Sequence, residues 1–142
     1  MSDSFVRDYA VRFGEIDHAG VMYYPKFFDR MHRAFEDFWA EALGRDYHQI
    51  LDVEGIGFPL VDIHSSFKKP YRFGDTIRVT INVERMGSRS IAFRYRLGAP
   101  EEDGARAEAT LIVSVIDMKT FTPRALPDDY RATLERYQLE AE

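Results

Sequence analysis

The chain has 142 residues, with 19 basic against 24 acidic side chains, a net charge of −5, 45% hydrophobic residues and no cysteine. At roughly 100–200 residues per domain this is one domain over 1–142, and 30% charged with 14% aromatic residues excludes a disordered composition. The missing cysteine excludes a disulfide framework, a thiolate metal site and a cysteine nucleophile, and makes an intracellular compartment the default; the acidic balance argues against nucleic acid as the main partner.

At the start, Met1-Ser2-Asp3-Ser4 has no basic segment leading into an apolar run, and no stretch approaches the roughly 18 apolar residues of a membrane span. A cytoplasmic protein without a membrane partner is the expectation. Phe5, Tyr9, Val11 and Phe13 alternate with Asp8, Ala10 and Arg12, which predicts a half-buried strand ending near Gly14. Glu15 to Gly20 reads as a turn, and Pro25 then takes a first helical position, where a missing N–H costs nothing. Phe27, Phe28, Met31, Phe35, Phe38, Trp39, Ala42 and Leu43 recur at three- and four-residue steps, predicting a long helix that Gly44 stops. So wide an aromatic face needs a sheet wrapped around it.

A strand is predicted over Gly57 to Lys69. Ile77, Val79, Ile81 and Val83 alternate with polar residues, as do Ile91, Phe93, Tyr95 and Leu97, and Met86-Gly87-Ser88 is the hairpin connection between these two strands. The acidic loop Pro100 to Gly104 leads to a run from Ala107 to Met118, whose apolar residues on both faces suit a central strand or one covered on both sides by a partner. Pro127-Asp128 opens a short terminal helix carrying Leu126, Tyr130, Leu134 and Tyr137, followed by an acidic tail. The fold class is α+β, an antiparallel sheet of about five strands curved around one helix.

Chemistry concentrates in Phe13-Gly14-Glu15-Ile16-Asp17-His18-Ala19-Gly20-Val21-Met22-Tyr23-Tyr24-Pro25, where a carboxylate precedes the start of the long helix. Free N–H groups at a helix start polarise a carbonyl and hold an oxyanion, while Asp17 supplies a nucleophile or a base for water, and Gly20 permits close approach of a ligand. The plain alternative is that Asp17 caps a turn and Gly20 supplies a positive φ. Glu15 is the competing carboxylate. The four histidines show no metal-ligand spacing, His32 and His48 receive no role, and no metal or cofactor is expected.

This segment resembles the active-site segment of hotdog-fold acyl-CoA thioesterases of the 4-hydroxybenzoyl-CoA thioesterase type. Ser66-Phe67-Lys68-Lys69-Pro70-Tyr71-Arg72-Phe73-Gly74-Asp75 is similar to the strand and turn that this family carries before its hairpin, and the element order agrees over nearly the whole chain. The resemblance implies the hotdog fold, subunits paired through a continuous sheet into a homodimer or homotetramer, and active sites at the subunit interface. It implies hydrolysis of an acyl-CoA thioester, with Asp17 as the catalytic carboxylate and the backbone N–H of Tyr24 polarising the thioester carbonyl. His64 falls where relatives place a polar residue from the partner subunit. Arg89 and Ser90 fall where relatives bind nucleotide phosphates, and Lys68, Lys69 and Arg72 crowd a second basic loop. Pro25 stands where many bacterial members carry histidine, and His18 where the proline-bearing branch often has proline. Two other readings stay open: a non-catalytic hotdog module that binds an acyl-CoA or a protein partner, and, more weakly, a dehydratase, for which no histidine-containing signature is present.

Overall fold

The computed structural model describes residues 2–140; Met1, where the leader reading began, and the end of the acidic tail, 141–142, lie outside the described residues. Five strands form one antiparallel sheet in the order β1-β4-β5-β6-β3, made of β1 (Phe5–Ala10), β3 (Leu60–Phe67), β4 (Thr76–Met86), β5 (Ser90–Gly98) and β6 (Ala107–Ser114). A smaller sheet joins β2 (Ile56–Gly57), β7 (Ile116–Asp117) and β8 (Thr122–Pro123) in the order β2-β7-β8. Among the described residues, no helix is long and apolar enough to cross a membrane.

The long helix α1 (Pro25–Ala42) starts with proline in its first turn and stops before Gly44, whose φ of +73° only glycine adopts without strain. Its buried stripe of Phe27, Met31, Ala34, Phe35, Phe38 and Trp39 packs on the concave face of the sheet. That face is supplied by alternation: Ile77, Val79, Ile81 and Val83 on β4 are fully buried, and Phe93 on β5 lies edge-on to Phe35 with ring centres 5.3 Å apart. The short helix α2 (Asp128–Arg136) closes the far end, with Tyr130 against Trp39 and Tyr137 against Phe38. Its first-turn Asp128 and Asp129 and last-turn Arg136 suit the helix dipole.

Three of the predicted strands change their bounds. The first ends at Ala10 rather than near Gly14, because Phe13–Glu15 form a 3-10 turn that leaves the Phe13 ring 75% exposed. The strand read over Gly57 to Lys69 splits into β2 and β3 at Phe58-Pro59, where proline has no N–H for a ladder. The run from Ala107 to Met118 is not one strand. It breaks after Ser114, where the Val115 N–H bonds the Arg89 carbonyl at 2.9 Å and Ile116 pairs instead with Gly57 in the smaller sheet. β3 lies at the edge of the main sheet and is exposed along its whole length, including Leu60, Val61, Ile63 and Phe67.

Candidate active site

The segment from Phe13 to Pro25 carries the chain from β1 into α1 as a short, heavily tied crossing. Ile16 and Met22 form an antiparallel bridge, and between them the Asp17 N–H donates to the Val21 carbonyl at 2.9 Å and the Gly20 N–H to the Asp17 carbonyl at 3.0 Å. Gly20 sits at φ +84°, so the turn depends on a residue without Cβ. The Met22 N–H bonds the Tyr71 carbonyl at 2.8 Å and the Tyr23 N–H bonds the Glu15 carbonyl at 2.9 Å, which pins both legs of the loop.

Beneath the loop, Glu15 is already committed. Its two carboxylate oxygens each accept from the Arg30 guanidinium at 2.6 Å, and Oε1 also accepts the Arg12 N–H at 2.7 Å. Burial by itself pushes this carboxyl up, but the Arg30 and Arg12 hydrogen bonds and the Arg30 charge prevail and hold it below the usual range. Glu15 therefore stays ionised, with both oxygens bonded inside the protein, an arrangement that suits an anchor for the loop better than a base facing a ligand. Arg30 also donates to the Ala10 carbonyl at 2.9 Å, tying α1 to the end of β1.

Asp17 is different. It is half-buried, one of its oxygens accepts the Ala19 N–H at 2.8 Å, and the other has no partner among the described residues. The turn-capping role expected of an Asp here is real, yet it uses only half of the carboxylate. Tyr24, at the entry to α1, has φ −55° and ψ −35°, and its N–H has no acceptor among the described residues. Because Pro25 has no N–H, Tyr24 presents the first free donor at the positive end of the helix dipole. A carboxylate oxygen and an oriented N–H at one helix entry are the parts needed to attack a carbonyl and hold the oxyanion that results.

The remaining residues singled out in the sequence are scattered. Lys68, just past β3 at the same end of the sheet as the Asp17 loop, pairs with Glu108 at 3.0 Å, and Lys69 pairs with Glu102 at 2.8 Å. His64 lies in the middle of β3 opposite Thr110, with Nε2 3.1 Å from Asp62 Oδ2. It shares a shallow depression with Ser66, Arg94 and Thr110, on the sheet face turned away from α1. Arg89 and Ser90 sit in the turn between β4 and β5, exposed, and no described residue pairs with the Arg89 guanidinium.

Arg89 and Ser90 are at the opposite end of the sheet from Asp17. Tyr71, whose carbonyl holds the Asp17 loop, donates its hydroxyl to the Gly98 carbonyl at 2.5 Å, at the end of β5, whereas Ser90 begins that strand. A strand of that length spans about 27 Å at its ordinary rise. One chain therefore does not bring its own Arg89 and Ser90 to its own Asp17.

A pocket of about 170 Å³ went unrecognised in the sequence. Phe28, His32 and Phe35 of α1 form one wall, Leu60 and Ile63 of β3 with Leu111 and Val113 of β6 form another, and Tyr47, Phe58 and Tyr95 complete it. Tyr24, Phe28, His32 and Phe35 follow one another at helical spacing, so the stripe that begins at the free Tyr24 N–H leads into this pocket. The signal was a polar residue, His32, inside an otherwise apolar stripe. An apolar cavity of about 150 Å³ accepts a benzene ring, so the volume suits an aromatic group.

Compared with known proteins, the model of the thioesterase-like superfamily matches residues 11–134, a span that includes the Asp17 loop, α1 and β3 to β8. A 1,4-dihydroxy-2-naphthoyl-CoA hydrolase of Thermosynechococcus vestitus is 34% identical over 99 residues, covering 68% of this chain and 67% of that protein. A second hydrolase of that description, from Nostoc punctiforme, is 26% identical over 139 residues, covering 98% of this chain and 92% of the other. The crystal structure of Slr0204, a 1,4-dihydroxy-2-naphthoyl-CoA thioesterase from Synechocystis, shares the fold, with a TM-score of 0.83 at 21% identity over 93% of this chain and 96% of that one. With its long helix on a five-stranded antiparallel sheet, the chain belongs to the thioesterase-like superfamily and is a thioester hydrolase of the hotdog fold.

Proposed function

We propose that this protein hydrolyses an aromatic acyl-CoA to the free acid and CoA, using Asp17 and the Tyr24 N–H. The observation that carries the proposal is the pair of unsatisfied groups at one helix entry: a carboxylate oxygen of Asp17 and the backbone N–H of Tyr24. The thioester oxygen docks on the Tyr24 N–H, and the helix dipole favours the negative charge that grows there during attack. Along one route an Asp17 oxygen adds to the carbonyl carbon, the C–S bond breaks, CoA leaves as thiolate, and water then cleaves the acyl–Asp17 anhydride. Along the other, Asp17 takes a proton from water as the hydroxide adds, and the same C–S bond breaks. Either way a thiolate is a good leaving group. One oxyanion donor is worth about 3–4 kcal/mol, and general-base assistance about 10²–10⁴-fold in rate.

The aromatic acyl group is supported by the pocket at the end of the Tyr24 stripe and by the naphthoyl-CoA hydrolases that share the family. Two copies of the chain are needed for a complete site, because the protein's own Arg89 lies across the sheet from Asp17. The exposed edge strand β3, with Val61, Ile63 and Phe67, suits pairing of two copies into one sheet. In such a homodimer, or a homotetramer built from it, the partner's Arg89 and the partner's Ser90 take the CoA phosphates, and the partner's His64 is a further polar contact. Lys68 is the weaker phosphate ligand, since Glu108 already neutralises it. No metal or cofactor enters the scheme, and the expected compartment is the cytoplasm.

The test is thiol release, followed with a colour reagent, from acyl-CoA substrates with aromatic, branched, short and long acyl groups; the cysteine-free chain gives no background. Faster release from aromatic thioesters supports the proposal. Tight binding of acyl-CoA with no release from any substrate would make this a non-catalytic binding module.

A further inference from the structure

We infer that Tyr95, with Tyr47 beside it, determines specificity by hydrogen bonding a polar substituent on the acyl group's ring. The inference rests on the proposed function only in taking the aromatic pocket for the acyl site. Tyr95 lies on β5 between Ile81 of β4 and Ala109 of β6, and is 2% exposed. Its hydroxyl has no hydrogen-bond partner among the described residues, yet the residue forms part of the pocket wall. Two other buried phenols find acceptors, Tyr71 at the Gly98 carbonyl at 2.5 Å and Tyr130 at Glu54 at 2.7 Å. A hydroxyl left without a protein partner in a largely apolar pocket is available to bond a polar group of a ligand.

The polar side chains of this pocket are few: His32, Tyr47 and Tyr95. Tyr47 also has an unpartnered hydroxyl, and its ring meets Phe35 edge-on at 5.5 Å and His32 edge-on at 6.0 Å. His32 stacks on Phe35 at 6.0 Å and lies 3.2 Å from Glu36, at the solvent-facing side of the pocket wall. Burial pushes both the Tyr95 and Tyr47 phenols up, which keeps them neutral, each able to donate and to accept. The remaining walls, Phe28, Phe35 and Leu111 among them, hold a flat ring by contact alone. Such a site takes a ring bearing a hydroxyl or keto oxygen in preference to the bare ring, because the bare ring leaves the phenols unpaired.

Binding tests this without turnover. Non-hydrolysable CoA thioethers are prepared in pairs, benzyl with hydroxybenzyl isomers and naphthylmethyl with its hydroxylated counterparts, and their dissociation constants are measured by calorimetry on wild type, Tyr95→Phe and Tyr47→Phe. The wild type should favour at least one hydroxylated member of each pair by about tenfold or more, and Tyr95→Phe should reduce that preference to about twofold or less while holding the bare ring as tightly as before. Tyr47→Phe should reduce it partially. A wild type without preference, or a Tyr95→Phe variant that keeps the full preference, overturns the inference. Loss of hydrolysis on every substrate, with these binding differences intact, would instead count against the proposed function alone.

Discussion

Replacing Glu15 by leucine would show how firmly the loop that carries Asp17 is anchored. The Glu15 and Arg30 side chains are only 10% and 7% exposed, so the leucine variant leaves a buried guanidinium without its counter-charge and the Arg12 N–H without its acceptor. Breaking a buried pair from one side costs about 3–5 kcal/mol. At roughly 2.1 cal/mol/K per residue for a chain of this length, the melting temperature should fall by about 10–15 °C. Adding Arg30→Met to the leucine variant should restore most of the loss, since apolar replacement of both partners removes the unpaired charge.

Acid gives an independent check. The Glu15 carboxyl is lowered in the folded state, so its stabilising effect is complete above the unfolded carboxylate value of about 4.3 and is lost as pH falls through the lower folded value. The gap in melting temperature between wild type and Glu15→Leu should therefore narrow below about pH 4. Thermal unfolding followed by circular dichroism at neutral and acid pH measures both effects. A neutral-pH loss under about 1 kcal/mol, or a gap that widens in acid, would refute the buried-pair account.

The two-subunit site predicts complementation: Asp17→Asn and Arg89→Ala are each impaired, and equal mixtures refolded together should recover about a quarter of wild-type activity, one intact site in each mixed dimer. No gain on mixing would place Asp17 and Arg89 in the service of separate events. Gly20→Ala meets nothing within 4 Å but must hold φ +84°, so its cost is backbone strain of about 1–2 kcal/mol, read as a fall in melting temperature of several degrees. Arg89→Ala should raise KM for acyl-CoA, and more so at low salt, whereas Lys68→Ala should change it little because Glu108 already occupies that ammonium. Equal effects of the two would contradict the assignment of the phosphate site.

Much of the fold was legible because it follows from local patterns. The three- and four-residue spacing from Phe27 to Leu43 with Pro25 and Gly44 at its ends defines α1, and strict alternation from Ile77 to Val83 and from Ile91 to Leu97 defines β4 and β5. The errors lie where a long-range partner decides. Phe13 continued an alternating pattern, but the chain turns there so that Glu15 can reach Arg30 on α1, a pairing that no local period records. Val115 and Ile116 read as one strand because both are apolar, whereas Ile116 pairs with a different sheet from Ser114. Asp17 stood out as a carboxylate one turn of chain before a helix start marked by Pro25, whereas the role of the Tyr24 N–H was implied by the family resemblance. The pocket was not legible, since His32, Tyr47 and Tyr95 come from three separate elements, and only the folded sheet shows that they face one space.

The central claim is that the free oxygen of Asp17 drives thioester cleavage at the Tyr24 N–H. The most direct measurement is kcat of wild type and Asp17→Asn on the best aromatic acyl-CoA, with melting temperature and oligomeric state recorded for both. Asparagine keeps an oxygen to accept the Ala19 N–H but can neither attack nor take a proton from water. The account predicts a loss in kcat of about 10²–10⁴-fold with folding and assembly unchanged. An Asp17→Asn enzyme that turns over within about threefold of wild type would contradict it.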